Sequence, residues 1–76
     1  MEKNLLVLKK SEYTTKDGKS VYRLHLWVDD GAVEYCVTSV EKQMFDRVEI
    51  GKPYKFYYEL NVFNTKIYGI KNLKFV

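Results

Sequence analysis

Two stretches, Ser20–Val28 and Tyr54–Phe63, alternate side chains with a period of two, and this pattern restricts the fold more than any other feature. In the first, Tyr22, Leu24, Leu26 and Val28 fall on one core-like face, while Val21, Arg23, His25 and Trp27 fall on the other. In the second, Tyr54, Phe56, Tyr58, Leu60 and Val62 oppose Lys55, Tyr57, Glu59, Asn61 and Phe63. Both read as strands with one face turned to a core. The chain has only 76 residues, enough for a single domain over 1–76 and too few for most large enzyme scaffolds.

The segments around these strands complete a mostly β reading. Asn4 to Tyr13 starts apolar and ends polar, as a first strand would, and Asp17-Gly18 offers the positive backbone angle of a tight hairpin. Asp29-Asp30-Gly31 is a second turn signal, followed by a third strand over Ala32 to Thr38 with Val33, Tyr35 and Val37 on one face. Thr38-Ser39-Val40-Glu41 has the spacing of a capping box, and Val40, Met44 and Val48 then recur at helical spacing before Gly51 and Pro53 stop the segment. Asn64-Thr65 is the centre of a last turn, and Lys66 to Val76 forms a fifth strand in which a bulge near Gly69 restores the parity. The expected architecture is all-β with one short helix: three strands, a helix and two strands, the element order of a five-stranded OB-type barrel.

Charge and aromatic content narrow the function. From Asp29 to Glu49 there are six acids and two bases, whereas the rest of the chain holds eleven bases and four acids. Basic segments that converge in a fold attract polyanions, although scattered lysines also serve solubility alone. Seven Tyr, four Phe and one Trp exceed what a small core needs, so some rings are expected at a surface. Arg23, His25 and Trp27 project in a row, the combination that suits stacked bases and tracked phosphates. Trp27 leads as a stacking residue, the opposing reading being a ring that covers the end of a core. Tyr13 is expected to contact ligand and Tyr22 to join the core, with Lys16 and Lys19 at the hairpin tip between them. Phe63 and Lys66 flank the last turn and extend the candidate site, while Tyr57 reads as packing or a contact between protomers.

Other chemistries lack the residues. One His, one Cys and no clustered acids at ligand spacing leave no metal site, and no glycine-rich phosphate loop is present. Asp29-Asp30 reads as turn formation rather than an acid–base pair, so the expectation is a protein that is not an enzyme and uses no cofactor or small-molecule substrate. Cys36 reads as a small buried side chain in a reducing compartment. No run of roughly 18 apolar residues spans a membrane, and the first residues do not form a signal peptide, which points to the cytoplasm.

The element order across the whole chain, the small size, and the basic, aromatic second strand resemble the compact single-stranded-DNA-binding OB proteins of phages and conjugative elements. That resemblance implies a ligand surface on Tyr13 to Trp27, Ala32 to Thr38 and Asn61 to Tyr68. It differs in ending at Phe75-Val76, without the acidic tail through which cellular single-strand-binding proteins recruit partners. The expected function is low-specificity binding of single-stranded nucleic acid, DNA over RNA, by a protein that forms a homodimer. The rival is a small β-barrel interaction or dimerisation module with no nucleic-acid role, its aromatics acting as interface anchors.

Overall fold

A computed structural model describes all 76 residues. The chain forms β1 (Glu2–Thr14), β2 (Ser20–Trp27), β3 (Tyr35–Val40), α1 (Lys42–Arg47), β4 (Pro53–Phe63) and β5 (Lys66–Phe75). Elements therefore follow one another as the alternation and turn signals indicate. All four pairings are antiparallel, and in space the strands run β3-β2-β1-β4-β5. No helix is long and apolar enough to cross a membrane.

β1 holds the sheet together because it is long enough to serve two partners. Its first half, Glu2 to Leu6, pairs with β4, and Leu6 to Thr14 pairs with β2. An irregularity between Val7 and Lys9 interrupts the β1–β2 ladder just past the end of the β1–β4 ladder, and extra residues of this kind bend a strand and increase its twist. The residues after α1 are tied to the same point: Val7 N–H donates to the Lys52 carbonyl at 3.1 Å and Gly51 N–H to the Val7 carbonyl at 2.7 Å.

The inner face of this bent sheet is the core. Leu5, Val7, Leu24, Leu26, Val28, Phe56 and Tyr58 are buried, with Val33, Cys36, Val48 and Ile70 closing around them. Phe56 stacks on Phe75 with ring centroids 5.3 Å apart. The period-two reading of β2 is thus correct in its inner parity, and Cys36 is buried, where loss of solvation pushes its thiol pKa up.

Three expectations are corrected. First, the sheet is not a closed five-stranded barrel, and its strands are not arranged in chain order. β3 is laddered only to β2 and β5 only to β4, so these two are the sheet's edges. They approach each other without pairing, and the β4–β5 ladder carries two register irregularities. Second, β3 begins at Tyr35 rather than Ala32, because Asp30 Oδ1 accepts the N–H groups of Ala32 and Val33 and holds that stretch as a turn. Third, the capping box does not form. Thr38 and Val40 pair with Leu24 and Tyr22 in the β2–β3 ladder, so the helix starts only after Glu41, without a side-chain cap.

The bulge at Gly69 is present. Asn61 pairs with Gly69 and Val62 with Ile67, which leaves Tyr68 as the extra residue. Gly69 has φ 146°, a conformation that side chains disfavour, and a Cβ there would lie 3.5 Å from Cys36 Sγ. At the tip of the same hairpin Asn64 and Thr65 have φ 49° and 64°, as a two-residue turn with both central angles positive requires.

Candidate nucleic-acid interface

The outward parity of β2 meets its neighbours' side chains across two ladders. Trp27 lies opposite Leu6 of β1 and Tyr35 of β3; His25 opposite Lys9 and Val37; Arg23 opposite Ser11 and Ser39; Val21 opposite Tyr13. Successive outward positions are roughly 6.6 Å apart along a strand. No acid occurs among these paired residues.

The exposure of Trp27 decides between its two readings. It is 43% exposed, and Tyr35 beside it is 53% exposed, so the indole is a surface ring rather than a core plug. At the other end of the row the Arg23 guanidinium sits 4.5 Å over the Tyr13 ring, and Nη2 donates to the Tyr13 hydroxyl at 3.0 Å. This arrangement holds the guanidinium against the ring while leaving Tyr13 exposed.

His25 is fixed between these two ends. Its Nε2 is 2.9 Å from Ser11 Oγ, and Nδ1 hydrogen-bonds the Tyr35 hydroxyl. Partial burial holds the imidazole pKa below its usual value, and the nearby charges of Lys9 and Arg23 push in the same direction. The ring thus bridges Ser11 of β1 and Tyr35 of β3 across the outward face.

Lys16 and Lys19 lie on the β1–β2 connection. Thr15 N–H donates to the Lys19 carbonyl at 2.7 Å, and Gly18 N–H to the Thr15 carbonyl at 3.0 Å. Lys19 approaches Asp17 at 4.0 Å, whereas Lys16 has no ion-pair partner. Asp17 is held below the usual carboxylate range, chiefly by its hydrogen bond from the Thr15 hydroxyl.

Phe63 and Lys66 form the last pair of the β4–β5 hairpin, where Phe63 is 65% exposed. No hydrogen bond, ion pair or ring contact joins them to the Trp27 row. The sequence-derived site thus divides into a β1–β2 group, Tyr13, Lys16, Lys19, Arg23, His25 and Trp27, and a separate hairpin pair. Tyr57 is half-buried, and Lys74 Nζ lies 5.9 Å from its ring centroid.

Sequence reasoning left Lys9 outside the site, and it covered Tyr35, Val37 and Tyr68 only through the regions that the resemblance implies, without singling them out. Tyr35 and Val37 share parity in the sequence, but that parity alone does not say which face is inward. The β2–β3 register decides it by sending Cys36 and Thr38 into the core. No group of three or more His, Cys, Asp or Glu side chains is placed to hold a metal ion. The chain matches no protein-family model, and neither a curated protein nor a solved structure matches it.

Proposed function

We propose that this protein binds single-stranded nucleic acid without catalysing a reaction, with DNA favoured over RNA and little sequence preference. In this reading the bent sheet is an OB-type fold, a partly open Greek-key barrel of five strands, and the protein works in the cytoplasm as a homodimer. The resemblance to compact phage and conjugative-element proteins supports the same assignment.

The observation that carries the reading is the exposed pair Trp27 and Tyr35 on a face that also bears Arg23, Tyr13 and Lys9 and whose paired positions include no acid. Two adjacent rings give bases a stacking platform, and the cations on the same face neutralise phosphates. Low sequence preference follows because stacking accepts every base. Phe63 and Lys66 extend the surface on the β4–β5 hairpin.

A titration with labelled oligo-dT, following Trp27 fluorescence and label anisotropy together, tests the proposal. Saturable quenching is expected, resistant to duplex competitor, with log K falling by roughly 0.7 per neutralised phosphate for each unit of log salt. An absence of quenching and of any anisotropy change refutes it.

The second reading, an interaction or dimerisation module, draws on Val62, Phe63 and Tyr68. These are 53%, 65% and 64% exposed on one hairpin, a concentration of apolar surface that suits a protein partner. Complex formation insensitive to salt, with no oligonucleotide binding, favours that reading.

A further inference from the structure

The edges β3 and β5 meet at one end and leave a groove at the other. Near Gly69 the two strands approach each other at Cys36, whose Sγ lies 3.5 Å from where a Gly69 Cβ would stand. Further along, Ser39 and Val40 face the stretch Asn72 to Phe75 across a groove of about 610 Å³, with α1 contributing Met44 and Arg47. That volume falls within the range of specific ligand sites.

Three properties of the groove point to one kind of occupant. Because β3 ladders only with β2 and β5 only with β4, each strand has a free side on which main-chain N–H and C=O groups are unpaired. Val40, Met44, Leu73 and Phe75 make part of the lining apolar. Arg47 and Lys74 also line it, neither within ion-pair distance of a carboxylate, and Glu41 is the single acid there.

We propose that this groove binds an extended acidic segment of a partner protein, which adds as a strand to a free edge and sets its carboxylates against Arg47 and Lys74. Strand addition draws affinity from main-chain hydrogen bonds and specificity from alternate side chains. Past the irregularity at Asn72 (φ 54°), Leu73 to Phe75 span roughly 10 Å, room for about three residues of an added strand. Nucleic acid suits the groove less well. It has no peptide backbone to continue the ladder, and the Phe75 ring is already covered by the Arg47 guanidinium at 4.6 Å. The groove is separate from the Trp27 face, since Trp27, Tyr35, His25 and Arg23 do not line it.

The test uses two fluorescein-labelled hexapeptides, one alternating Asp with Val and one alternating Glu with Phe, titrated into the isotope-labelled protein. Matching Lys-containing peptides and versions N-methylated at alternate amides serve as controls. At least one acidic peptide is expected to bind roughly tenfold more tightly than its Lys counterpart and to shift the amide resonances of residues 39–40 and 72–75. N-methylation is expected to abolish that binding, and the R47E/K74E double variant to weaken it by at least roughly tenfold. Failure of both acidic peptides to bind at roughly millimolar concentration overturns the proposal, as does equal binding of the N-methylated forms. Oligo-dT that displaces the peptide while shifting the same residues also overturns it and assigns the groove to nucleic acid.

Discussion

Replacing Trp27 with Ala separates binding from folding, because the ring is on the surface. The indole is 43% exposed and lies opposite Tyr35 and Leu6 across the two ladders. Losing such cross-strand pairs costs about 0.2–1 kcal/mol each. A stacked base contributes about 1–3 kcal/mol, so W27A is expected to weaken oligo-dT binding by roughly 5- to 150-fold. The slope of affinity against salt should stay the same, since no charge is removed. Arg23→Ala gives the complementary result, a slope shallower by roughly 0.7 together with a smaller loss of affinity at high salt. Anisotropy titrations at several salt concentrations measure both effects, and urea unfolding of each variant verifies that it is folded. Trp27→Phe, which keeps a ring, is expected to retain most of the affinity. A folded W27A protein that binds within about twofold of the parent refutes the stacking role of Trp27.

Further outcomes follow from the core, the backbone and His25. Phe56→Ala removes a fully buried ring stacked on Phe75 and should cost about 3–5 kcal/mol, a large part of the stability of so short a chain, measured by urea unfolding. Tyr58→Phe should leave stability unchanged or raise it by about 1 kcal/mol, because the Tyr58 hydroxyl is buried without a hydrogen-bond partner; a loss of more than about 1 kcal/mol in the same assay contradicts this. Gly69→Ala is expected to destabilise by about 1–3 kcal/mol through backbone strain at φ 146°, although the Cys36 contact itself is of ordinary length. His25 sets a pH dependence. Its folded pKa lies below the unfolded value, so the unfolded chain binds its proton first as pH falls; the stability contribution is complete above about pH 6.5 and is lost below it. Bound phosphates favour the imidazolium, so oligo-dT should raise the His25 pKa, and an NMR titration of the ring with and without oligonucleotide measures that shift.

Much of the fold was legible because it is written in local patterns. Alternation in 20–28 and 54–63 identified two strands and the inner parity of β2, and the positive-φ demands of Asp17-Gly18, Asn64-Thr65 and Gly69 located two turns and a bulge. The capping box was a local signal that lost to a non-local one. Continued pairing of Thr38 and Val40 with β2 gains ladder hydrogen bonds and buries Thr38, which a helix starting at Thr38 would forfeit. Of the candidate site, the row Arg23, His25 and Trp27 was visible as a parity within one strand, whereas Tyr35 and Lys9 depend on which residues lie opposite.

The amino-acid sequence by itself determined the number and order of the elements, the inner residues of β2 and the segregation of charge along the chain. These depend on side-chain period, turn stereochemistry and composition, which act over a few residues. Tertiary structure alone decided that Tyr35 stands beside Trp27, that His25 bridges Ser11 and Tyr35, and that β3 and β5 approach without pairing. Each of these depends on register between strands distant in sequence, where a one-residue shift reverses every side chain, and no local pattern carries that information.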